Sequence, residues 1–107
     1  MSDPTSSDTP VLDLLERMTV DSVATSSLDA QSIAVARLAA LVASDAPAVS
    51  YALNLAVDAE IGLSADDVRG VLAAIAPIVG TSRVAAATGR IVTAIGVAIE
   101  VASAELE

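Results

Sequence analysis

The chain has 107 residues, 54% of them hydrophobic, with one aromatic side chain, no cysteine, no histidine and a net charge of −9. That length suits a single domain. The missing residue types exclude disulfides, thiol redox chemistry and thiolate zinc sites, and they remove the usual general base at neutral pH. All five basic residues are arginines, too few against fourteen acids for the basic patch that nucleic-acid binding needs.

Residues 1–9 carry no apolar pattern and are rich in Ser, Thr, Asp and Pro, which predicts a disordered tail ahead of one domain over residues 10–107. Pro10 suits the first turn of a helix that opens with VLDLLERM, and TVDSVATSS reads as a connector into which that helix can fray. LDAQSIAVARLAALVA predicts a second helix capped by Asp29, with Ile33, Ala36, Ala40 and Leu41 at three- and four-residue spacing. SDAP breaks the chain, and Pro47 begins a third helix that runs to about Glu60. Along it Val49, Ala52, Leu53, Ala56 and Val57 form an apolar stripe, while Ser50, Asn54 and Asp58 form a polar ridge with Tyr51 beside it.

Gly62 is placed to end that helix in the left-handed region. Ser64 and Asp67 form a capping-box pair for a fourth helix, which Pro77 is expected to kink or end. Gly80 makes a turn and Thr81 or Ser82 caps a last helix, apolar nearly all round between Ile91 and Ala102. Gly89 and Gly96 share a face there and would admit a closely packed neighbour. No strand-like alternation occurs, so the expected fold class is all-α, with about five helices.

So much aliphatic side chain exceeds what a domain of this size hides, since a short chain buries only about 65% of its unfolded surface. Either a membrane or further copies of the chain must take the remainder. The best membrane candidate, IVTAIGVAI between Arg90 and Glu100, is less than half of the roughly 20 apolar residues a span needs. The N-terminus is acidic and polar, unlike a signal peptide. The expectation is a soluble, cytoplasmic homo-oligomer.

Three segments in order resemble the carboxymuconolactone decarboxylase family, which includes the alkylhydroperoxidase D-like proteins. LDAQSIAVARLAALVA looks like the family's opening helix. Ala59, Gly62, Ser64, Asp66, Asp67 and Val68 fall on or near its A-x-x-x-G-x-S/T-x-D/E-D/E-I/V segment. Ala76, Pro77, Gly80, Arg83 and Ala87 fit its A-P-x-x-G-x-x-R/K-x-x-x-A segment. The resemblance covers roughly residues 28–91 and implies a helical bundle assembling as a trimer or hexamer. It also implies, in the family's redox branch, a C-x-x-C-x-x-x-H motif on the third helix. Counted back from Gly62, the histidine position holds Asn54 and the cysteine positions hold Ser50 and Pro47, while the assisting glutamate would lie near Ala34. Family thiol chemistry is therefore excluded, because neither Ser nor Pro supplies a thiolate and Asn cannot accept and return a proton.

Arg37, Pro47, Ser50, Tyr51 and Asn54 are the candidates for a vestigial or ligand-binding site; no catalytic or metal-ligating residue and no cofactor is indicated. Arg37 stands among apolar neighbours, where it serves either as an anion clamp or, the reading we favour, in an ion pair between helices or subunits. Ser50, Tyr51 and Asn54 line either a small-molecule pocket or, again preferred, a subunit interface. Three functions follow, in order of preference: a non-catalytic oligomeric scaffold or interaction protein, a small-molecule binding protein, and an enzyme of altered mechanism with Tyr51 or a carboxylate as proton carrier.

Overall fold

A computed structural model describes residues 8–106, and side chains over 8–55 and 61–96. The tail expected over residues 1–9 lies outside the described residues apart from Asp8 and Thr9. Five helices account for nearly all the described chain: α1 (Pro10–Thr25), α2 (Ala30–Ala43), α3 (Ala48–Glu60), α4 (Ala65–Val79) and α5 (Thr81–Leu106). No strand occurs among the described residues, and none of the described helices is long and apolar enough to cross a membrane.

The helix ends follow local chemistry. The Asp29 carboxylate accepts the Ser32 amide at 2.8 Å and opens α2. Ser64 and Asp67 form a reciprocal capping box at α4, at 3.1 and 2.9 Å. At the end of α2, Asp45 takes φ +57. The amides of Asp45 and Ala46 bond the carbonyls of Val42 and Leu41 at 3.2 and 3.0 Å, which is a Schellman ending with aspartate in the usual glycine place. Gly62 and Gly80 adopt φ +87 and +98 and make the turns that L side chains resist.

Three expectations about element limits need correction. The segment TVDSVATSS is not a connector down to residue 27, because α1 continues through Thr25. Its residues are weak helix formers and not breakers, and no Gly or Pro interrupts the chain there. Pro77 does not stop α4, which runs two residues further to Val79; proline in the last turn forfeits one hydrogen bond without derailing the chain. Neither Thr81 nor Ser82 stands outside α5 as a cap. The helix begins at Thr81, with the Val84 amide bonding the Gly80 carbonyl at 3.2 Å.

The core forms where α2, α3, α4 and α5 meet. Ala34, Leu38 and Val42 recur every four residues on α2 and are buried. Leu38 and Val42 cluster with Tyr51 from α3, Val71 from α4, and Ala87, Ile91 and Ala94 from α5. Tyr51 is 0% exposed and is the largest fully buried side chain. The apolar stripe expected on α3 is split: Tyr51 lies inside and Ala52 packs against the core, whereas Val49 and Leu53 are 63% and 66% exposed. An aromatic ring removes more surface from water than a Val or Leu, so α3 turns to bury it.

Two arginines of α5 grip the C-terminus of α2. Arg83 donates to the Ala43 carbonyl. Arg90 pairs with the Asp45 carboxylate and reaches the Ala46 carbonyl at 3.4 Å. Cations are favoured at this negative end of the helix dipole. By contrast, α1 stands outside the packing, with no buried residue at all.

Two substitutions test this description by thermal or denaturant unfolding. Leu38→Ala should cost about 2–5 kcal/mol through lost burial and a cavity. Gly80→Ala should cost about 1–3 kcal/mol through backbone conformation alone, because nothing lies within 4 Å of an added Cβ there.

Candidate functional site

The five candidates do not form one site. Arg37, Ser50 and Asn54 line a shared hollow of about 640 Å3 between α1, α2 and α3. Arg37 lies one turn before Leu41 on α2, beside the buried row and not within it. Ser50 and Asn54 lie one turn apart on α3, where the Asn54 amide nitrogen donates to the Ser50 carbonyl at 2.8 Å. Leu15 and Val23 of α1, with Leu41 and Leu53, supply the hydrocarbon walls. Pro47 is exposed just ahead of α3, where its carbonyl accepts the Ser50 amide at 3.1 Å.

Within the chain, Arg37 does not form the inter-helix ion pair that is one form of the favoured expectation. Its Nη2 donates to the Thr19 carbonyl at 3.3 Å and to Ser22 Oγ at 3.2 Å, both on α1. No carboxylate among the described residues is within ion-pair distance of it. The guanidinium thus ties α2 to α1 through neutral acceptors. Thr19 and Ser22 were missed as partners because the sequence places them in a connector; a helix continued through Thr25 would have set them one turn apart beside Leu15 and Val23.

Tyr51 is separate from the hollow. Its hydroxyl is buried without a hydrogen-bond partner among the described residues, and burial pushes the phenol above its ordinary value. Arg90 opposes that rise and Asp45 adds to it. Within this chain the phenol is closed off from solvent. Asp45 itself is held below the usual carboxylate range by its hydrogen bond and charge pairing with Arg90.

Carboxylates offer no better centre. Asp67 is held low by the Ser64 amide of its own capping box, and Asp66 makes an exposed pair with Arg69 at 3.5 Å, an arrangement worth little in water. Among the described residues no group of three potential ligands could hold a metal ion. Asp58 and Glu60 lie outside the described side chains. A second concavity, about 410 Å3 between α4, α5 and the end of α3, is walled by Leu55, Leu63, Val68, Leu72, Ile91 and Ile95. Ser64, Arg69 and Thr88 add polar groups to a lining that is otherwise hydrocarbon. No protein-family model, curated protein or solved structure matches the chain.

With a single tyrosine in the chain, absorbance reads its ionisation directly. A folded-state value raised by burial means that stability is full below the ordinary phenol value of about 10 and falls as pH rises through the shifted one. The titration should lie above that of free tyrosine and coincide with loss of helix. Tyr51→Phe should stabilise the chain by about 1 kcal/mol, since it deletes a buried hydroxyl that bonds nothing. Destabilisation by a similar amount would reveal a partner for that hydroxyl.

Proposed function

We propose that this chain is a non-catalytic subunit of a homo-oligomer, a scaffold or interaction protein on a carboxymuconolactone decarboxylase-like helical frame. The observation that carries the proposal is α1. It holds seven large apolar side chains from Val11 to Val23, all between 48% and 68% exposed. An isolated helix of this length is marginal in water, and exposed apolar surface on that scale marks an interaction face.

Two further observations support the same reading. A Cβ added at Gly89 or Gly96 would meet nothing within 4 Å, so the glycine face of α5 has room for a neighbouring helix. The accessible surface is 7439 Å2, against about 5,500 Å2 for a compact monomer of this mass. That total includes the chain ends, so the named side chains of α1 carry more weight. A stable pair of subunits needs about 800 Å2 from each partner. On the catalytic side, the chain brings no thiol or imidazole, and its phenol is sealed. The family frame rests on the three matching segments, and a trimer or hexamer is the assembly it implies.

Sedimentation equilibrium and native mass spectrometry test this. The expected species is a trimer or hexamer at micromolar concentration. Leu14→Glu and Met18→Glu, on the outer side of α1, should weaken association at least tenfold, about 1.4 kcal/mol, with helical content retained. A monomer at every concentration, or variants that assemble like the parent chain, would refute the proposal.

A further inference from the structure

We propose that the hollow beneath α1 binds an amphipathic monocarboxylate, with its carboxylate on Arg37 and its hydrocarbon body against Leu15, Val23, Leu41 and Leu53. A guanidinium has five N–H donors in a planar fork. Arg37 commits Nη2 to Thr19 and Ser22; Nη1 and Nε meet no acceptor among the described residues. A half-buried cation with only neutral partners is unusual in a chain of net charge −9. The other arginines of the packed helices, Arg69, Arg83 and Arg90, each meet a helix-end carbonyl or a carboxylate.

The surroundings narrow the ligand class. A carboxylate matches the guanidinium fork in geometry and charge, whereas a cationic or neutral amphiphile gains nothing there. Aliphatic walls and a volume of about 640 Å3 suit a small apolar body held by few polar groups. Ser50 and Asn54 line the same hollow and add polar side chains to its wall.

Oligomerisation and this binding use different sides of α1. Val11, Leu14 and Met18 recur at helical spacing on one side, whereas Leu15, Thr19, Val20, Val23 and Ala24 line the hollow. A second copy on the outer side leaves the hollow itself open, and the two claims are told apart by separate readouts, subunit number for one and octanoate binding for the other.

Octanoate is the probe, with octanol and octylamine as controls, read by calorimetry and by amide shifts of the full chain. One octanoate should bind per chain, at least tenfold more tightly than either control. Its shifts should fall on residues 19–24, 37–41 and 50–54. Arg37→Ala should weaken it at least tenfold, and Arg37→Lys should fall between the two, since lysine keeps the charge and loses the fork. Ser22→Ala removes a tether of α1 but leaves the cation, so it should bind within about threefold of the parent; this separates loss of the anion site from loss of α1 docking. The proposal is overturned by no saturable binding, by equal affinity for octanol, by an unchanged Arg37→Ala, or by shifts confined to the α4–α5 cleft. Subunit number, measured separately, bears only on assembly.

Discussion

Small side chains at the meeting of α2, α3, α4 and α5 set how much this chain can hide. Ala34, Ala46, Ala87 and Ala94 make up nearly half of the buried hydrophobic residues, so the helices approach closely while each contact removes little hydrocarbon from water. Tyr51 is the one bulky member, and α3 is oriented to place it inside. The cost of that choice is visible on the far side of the same helix, where Val49 and Leu53 face out. The side chains of α1 stay outside this core, and none of its residues is buried within the chain.

The α2 terminus shows how such a thin core is held in register. The Schellman ending leaves the Asp45 carboxylate free to meet Arg90, and Arg83, two turns earlier on α5, takes the Ala43 carbonyl of α2. These contacts are side-chain hydrogen bonds at a helix end, where dipole and charge act together. They fix the crossing of α2 and α5 directly above Tyr51, which explains why that phenol feels both Arg90 and Asp45. The polar apparatus near the middle of this protein is therefore chiefly structural. The exception is Arg37, whose partners are too few and too neutral for a guanidinium in such a setting.

Much of the fold is legible in the sequence because punctuation residues act locally. Asp29, Ser64 with Asp67, Gly62 and Gly80 each satisfy or redirect the backbone within a few residues, and they mark helix ends without reference to the tertiary structure. The length of α1 is less legible, since Thr19 to Thr25 are indifferent to helix and no breaker decides the matter. The inner face of α3 is not legible from periodicity alone, because Val49 with Leu53 and Tyr51 with Leu55 both fit a helical repeat. Only the competition for burial, won by the aromatic ring, selects between them. The candidate site divides for the same reason: rotating α3 to bury Tyr51 leaves Ser50 and Asn54 beside Arg37 and takes Tyr51 away from them.

The account depends most on α1 being covered by another copy of the chain. Amide hydrogen exchange along α1, followed as protein concentration is raised from nanomolar to tens of micromolar, tests that directly. Protection of residues 11–23 should rise with concentration while the amides around Leu38 and Val42 stay equally protected throughout. Exchange in α1 that is fast at every concentration would contradict the account, and so would strong protection that does not depend on concentration across that range.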